Sequence, residues 1–157
     1  MKALTIWQPW ASLVMIGAKP CEFRRWDYRT RDATLEGQRI VIHAGARHIR
    51  PREVLDIKAA ILEGRSSLKD DVALPLIERL LQAHKCQGVL FMSAGLGTAI
   101  LGTPRRIDAW FKAPGSDRIH RQMWAWPLLK VEPFSVPVPC RGAQGFWTWP
   151  HALEKAA

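Results

Sequence analysis

The 157-residue chain is long enough to bury a genuine core and leaves no comfortable room for a second domain. Its formal charge of +9 and sequence pI of about 10.1 set up a field that attracts phosphates and other polyanions, which directs attention to nucleic acid or a nucleotide. Three cysteines, Cys21, Cys86 and Cys140, are an odd number with no close pair, which argues against a disulfide framework or a cysteine-rich zinc centre; the short apolar start suits neither a signal peptide nor a membrane span. The expectation is a reduced, cytoplasmic protein that does not enter a membrane.

Residues 4–6 read as a first strand. Trp10, Leu13, Val14 and Ile16 then recur at helical spacing, with Pro9 early in the helix, where its missing amide hydrogen costs nothing, and Gly17 placed to end it in a left-handed conformation. The next segment, Gly17-Ala18-Lys19-Pro20-Cys21-Glu22-Phe23-Arg24, crowds three charges of mixed sign into six residues. Read as extended to about Trp26, it directs Cys21 and Phe23 to one face and Glu22 and Arg24 to the other. One face suits a core and the other a cleft. Residues 27–37 are polar and rich in turn formers, a loop carrying Arg29 and Arg31, and residues 39–43 are a buried strand in which Ile40 and Ile42 oppose Val41 and His43.

Val54, Leu55, Ile57, Ile61 and Leu62 predict a helix over 51–64 that stops at Gly64. A second helix over 70–85 tolerates Pro75 near its start and builds a stripe from Leu76, Ile77, Leu80 and Leu81. Together they form a helical hairpin inserted between strands, with Arg50, Arg52, Lys58 and Arg65 on a solvated face. Residues 87–92 and 98–101 are strand candidates, the second continuing toward 107. The glycine-rich run 94–102 reads as a flexible hairpin or bulge: its third glycine falls too late for a dinucleotide fingerprint and no Gly-Lys-Ser/Thr follows. Residues 105–120 are a mixed loop holding Trp110-Phe111-Lys112 and Arg118. A long strand over 123–134 puts Trp124, Trp126 and Leu128 on one side, Pro133, Pro137 and Pro139 limit pairing beyond it, and residues 141–145 turn into Phe146-Trp147-Thr148-Trp149.

Eight tryptophans stand against a single tyrosine, and most are expected in the core, with the remainder free to stack on a base. His43 and His48 have no cysteine or carboxylate at ligand spacing beside them, so neither a metal nor a cofactor is expected. No Gly-x-Ser-x-Gly elbow or obvious Ser, His, Asp set appears. Lys19 is the leading catalytic candidate: held among aromatic groups beside Arg24, its ammonium form is disfavoured, and a neutral amine is a nucleophile or base, with Glu22 shuttling the proton. The alternative is that Glu22 pairs with Lys19 or Arg24 and keeps the cluster charged and inert.

Trp7-Gln8-Pro9-Trp10, the Gly-x-Lys-x-x-Glu-x-Arg string ending at Arg24, the strand reaching His43 and the terminal Pro139-Cys140-Arg141-Gly142-Ala143-Gln144-Gly145-Phe146-Trp147 follow one another in order. In that order they resemble the ASCH domain, over nearly the whole chain from residue 1 to 149, with an insertion between Arg47 and Gln87. The resemblance implies an α+β fold: a small PUA-like β-barrel with flanking helices and an inserted helical hairpin at about 50–85, in a single ASCH-like domain spanning 1–157. ASCH proteins are associated with RNA, some members have been assigned ribonuclease activity, and small bacterial members hydrolyse the amide of N4-acetylcytidine and related acylated cytosines. The first lysine of the signature is catalytic in those hydrolases and matches Lys19; the next catalytic position is a threonine there and Glu22 here, and their separate catalytic glutamate lies outside the matched motifs.

The expected function is therefore a metal-independent amidohydrolase of N4-acylated cytosine nucleosides, with Lys19 and Glu22 catalytic. Substrate is expected to be held by Trp7, Gln8, Pro9, Trp10, Arg24, His43, Arg141, Gly142 and Trp147. An RNA-binding module using the same pocket without turnover, and a single-stranded-RNA ribonuclease using His43 or Lys19, stand as alternatives. The partner is a modified nucleoside or single-stranded RNA, and the chain is expected to be a monomer.

Overall fold

The structure, a computed structural model, describes residues 1–107, 111–112, 119–120 and 123–151. Strand β1 (Lys2–Ile6) leads through a cis Gln8–Pro9 bond into helix α1 (Trp10–Met15), which buries Ala11, Leu13 and Val14. The helix closes at Gly17, whose φ of 77° is the left-handed stop expected there. Strand β2 (Cys21–Arg24) carries the charged string, and two short 3-10 turns follow, each capped by an aspartate, Asp27 or Asp32, that accepts a backbone N–H two residues on. The order continues β3 (Arg39–Ala44), α2 (Pro51–Leu62), α3 (Asp70–Gln82), β4 (Ala94–Leu101), β5 (Arg105–Ile107), β6 (Phe111–Lys112), β7 (Ile119–His120), β8 (Met123–Pro139) and β9 (Phe146–Thr148).

The main sheet runs β2-β8-β4-β3-β1-β9, with β5 also pairing β8, and β6 and β7 form a separate pair. β1 and β3 are parallel and every other pair is antiparallel. The chain is thus α+β, built on one sheet that curls into a half-barrel. Bulges supply the curl: β4 and β8 slip register between Gly95 and Gly97 and again between Thr98 and Ile100, and β3 slips at Ile42/His43. At Gly97 the strands cross so closely that a Cβ would stand 2.4 Å from the Glu132 carbonyl oxygen and 2.7 Å from Met15 Sδ.

Trp126, fully buried, anchors the core inside the curl. It stacks on Phe146 at 5.6 Å and meets Trp26 and Tyr28 edge-on, while its indole N–H donates to the Trp26 carbonyl. A second core forms where Leu13 of α1 meets Val54 and Ile57 of α2 and Ala73, Ile77 and Leu80 of α3. The helical hairpin is therefore welded to the sheet through α1. Leu55 and Leu62, counted in the predicted stripe, face solvent, and Lys58 pairs with Glu78. Among the described residues no helix is long and apolar enough to cross a membrane.

Three local expectations change. Residues 87–92 form an irregular, bent stretch rather than a strand, the backbone being left-handed at Lys85, Cys86 and Gly88. The glycine-rich run is no hairpin but the central strand β4; only its bulges match the expectation. The prolines after residue 132 do not end pairing, since β8 continues to Pro139 against β4. Along that half β8 has a partner on one edge alone among the described residues, and an edge without a partner tolerates missing amide hydrogens. Of the mixed loop, β5, β6 and β7 are described as strands, while Trp110 and Arg118 lie outside the described residues.

Candidate active site

Parallel pairing of β1 with β3 brings their C-terminal ends to the same side, and the antiparallel run to β4 and β8 brings the start of β4 and the end of β8 there as well. A cleft of about 880 Å³ opens at this end, bounded by Thr5–Trp7, His43, the 45–46 turn, Ser93 and the 139–145 segment, with Glu22 and Arg24 of β2 on its remaining side. Trp7, Trp10, Glu22, Arg24, His43, Arg141 and Gly142, all expected at the site, line it.

Lys19, Gln8, Pro9 and Trp147 do not line the cleft. Gln8 is wholly buried and spends its amide locally: Oε1 accepts from the Ser12 N–H, and Nε2 donates to Ser12 Oγ and the Phe91 carbonyl. It fastens the turn before α1 to the loop before β4. Pro9 accepts the Leu13 N–H at the head of α1.

Lys19 sits directly behind Glu22. The chain folds back after α1, the Lys19 N–H bonding the Leu13 carbonyl, and Nζ donates to the Cys21 carbonyl at 2.5 Å and to Glu22 Oε2 at 2.6 Å. Arg24 Nε approaches Glu22 Oε1 at 2.9 Å from the other side, an ion pair whose N–H is not aligned as a hydrogen bond, and Arg24 Nη2 reaches the Thr5 carbonyl at 3.3 Å. Burial alone would push the Glu22 pKa up, but the charges of Lys19 and Arg24, with the Lys19 hydrogen bond, outweigh it and hold the carboxyl below its ordinary value. Glu22 is therefore ionised at neutral pH, with one cation on each oxygen. Each oxygen has a second lone pair, and the carboxylate borders the cleft.

The opposite wall is neutral. His43 is 1 % exposed; its Nε2 lies 2.9 Å from the Cys140 carbonyl and its Nδ1 3.3 Å from Thr5 Oγ1, while Trp147 Nε1 donates to the same hydroxyl at 3.1 Å. A carbonyl only accepts, so Nε2 carries the proton, Nδ1 accepts from Thr5, and the hydroxyl accepts from the indole. Burial depresses the His43 pKa more than the Cys140 hydrogen bond raises it, in keeping with a neutral ring. Gly142 rests on this chain so closely that a Cβ would meet His43 Cε1 at 2.4 Å and Thr5 Oγ1 at 2.8 Å.

Thr5, Arg47 and Glu53 are functional candidates that motif reading passed over. Thr5 had a signal, as a lone hydroxyl among the apolar residues of β1; the Arg47–Glu53 pair, six residues apart across a loop and a helix start, had none. Among the described residues no group of His, Cys, Asp and Glu could hold a metal ion. No protein-family model matches the chain, and no curated protein matches it.

Proposed function

We propose that this is an ASCH-like protein with a PUA-related barrel, and that its cleft hydrolyses the amide of an N4-acylated cytosine nucleoside. One observation carries this: a buried, ionised carboxylate, braced by two cations, borders an aromatic-walled cleft within the size range of small-molecule sites. Glu22 takes a proton from water as the oxygen attacks the acyl carbon, and returns it to N4 as the C–N bond breaks, leaving a carboxylic acid and cytidine. Arg24, already paired to the carboxylate, is the cation that faces the developing oxyanion. Lys19 acts through Glu22, as the charge that keeps it ionised; this moves the base from the lysine to the glutamate. Trp7 and Trp10 receive the base, and no metal or cofactor enters the step.

The +9 charge, with Arg141 on the cleft, favours a second reading in which the site grips single-stranded RNA. His43 gives a ribonuclease no support, since both ring nitrogens are engaged. Incubating the protein with N4-acetylcytidine and with a short unstructured RNA separates these readings. Cytidine release with intact RNA is the expected result; cleaved strands without cytidine would contradict it. RNA binding is expected to weaken steeply as salt rises, whereas nucleoside turnover is not.

A further inference from the structure

No residue of the helical hairpin lines the cleft, but Glu53 of its first helix reaches the rim through Arg47 and Trp7. Trp7, at its rim, is 56 % exposed although it lines the cavity, and the Arg47 guanidinium lies over its ring, 4.2 Å from the centroid. Arg47 is fixed in turn by Glu53, in the first turn of α2, through two parallel contacts of 2.7 and 2.8 Å. Such a fork of two N–H bonds holds the plane of the guanidinium as well as its position. Its Nε is buried and has no hydrogen-bond partner among the described residues. The fork to Glu53 and the indole face of Trp7 together set the guanidinium, at the cost of one buried unpartnered donor.

An aromatic ring with one face covered by a fixed cation offers what remains as a preordered wall, and ordering costs at the moment of binding fall accordingly. We propose that Trp7 is the stacking wall for a nucleobase, and that Arg47, set by Glu53 of the inserted hairpin, is the positioning residue that holds it. Stacking is indifferent to which base is present, so the wall supplies affinity while Glu22 and Arg24 on the cleft read the edge. Only the assignment of cytosine rests on the hydrolase reading; the stacking does not.

The test follows the indole N–H signals of the whole protein by 15N-correlated NMR during titration with cytidine and with N4-acetylcytidine, Trp7 being assigned by the signal lost in Trp7→Phe. The Trp7 signal is expected to shift on titration, and Arg47→Ala and Glu53→Gln to weaken affinity about tenfold, within the range of one base–aromatic stack. Arg47→Lys keeps a cation without the fork and should recover part of the loss. Where turnover is measurable, the loss should fall on KM rather than kcat, as for binding shared by ground and transition states. Trp7→Ala and Arg47→Ala proteins that bind cytidine within twofold of the parent would overturn the proposal, even if hydrolysis were found. A shifted Trp7 signal with no turnover of acylated cytosines would leave stacking in place and remove the hydrolase reading.

Discussion

The two walls of the cleft bury polar groups in opposite ways. On one, Lys19, Glu22 and Arg24 form an ionic cluster in which the carboxylate keeps lone pairs beside the cavity. On the other, Trp147, Thr5, His43 and the Cys140 carbonyl form a neutral chain in which each donor has its acceptor and both histidine nitrogens are spent. A saturated network rigidifies and does no chemistry, whereas a charged group with capacity left over can exchange protons. On the proposed reading, the reaction falls to the ionic wall and the shape of the cleft to the neutral one.

The strongest challenge to this division is Lys19→Met. It leaves Glu22 buried with Arg24 alone, and breaking such a pair costs about 3–5 kcal/mol, read as a fall in the denaturation midpoint. The sign with pH is fixed: the Glu22 pKa is lowered in the folded protein, so its contribution is fully present above the ordinary carboxyl value and is lost as pH falls through the folded one. The gap between variant and parent should therefore narrow in acid. A gap that stayed constant would mean that lost packing, not charge, accounts for it.

On the neutral wall, Gly142→Ala drives a methyl into His43 and should cost roughly 1–3 kcal/mol by overpacking. Thr5→Val, which keeps the shape and removes the hydroxyl, leaves His43 Nδ1 and the Trp147 indole N–H unpartnered, again about 1–3 kcal/mol. Urea unfolding measures both, and a neutral Thr5→Val would show that the chain of hydrogen bonds is not stabilising. The smallest effect concerns pH. Because the folded protein keeps His43 neutral with a lowered pKa, the unfolded chain takes up a proton that the folded one refuses. Stability should decline as pH drops below the ordinary histidine value, and His43→Gln should flatten that slope in thermal melts.

Local signals in the sequence read this molecule best. Gly17 ends α1, the string after it alternates as β2, and the hairpin helices fall where the spacing of Val54, Ile57, Ile77 and Leu80 puts them, because each depends on residues a few positions apart. Glu22 and Arg24 reach the cleft by the same alternation. Long-range choices were hidden. Nothing local tells that β8 runs on through three prolines beside an edge without a partner among the described residues, that Gln8 spends its amide on Ser12 and Phe91, or that Lys19 stands behind Glu22 rather than in front of it. Those outcomes depend on which strand edges are paired and which loops meet.

The proposed reaction makes the Glu22 carboxylate the base. Glu22→Gln keeps the shape and removes the charge, and the direct measurement is cytidine release from N4-acetylcytidine by parent and variant, with near-UV circular dichroism confirming that both are folded. Turnover by the parent is expected, with a loss of roughly a hundredfold or more in the variant, the scale of a positioned proton-transfer group. A folded Glu22→Gln protein that releases cytidine at the parent rate would contradict it.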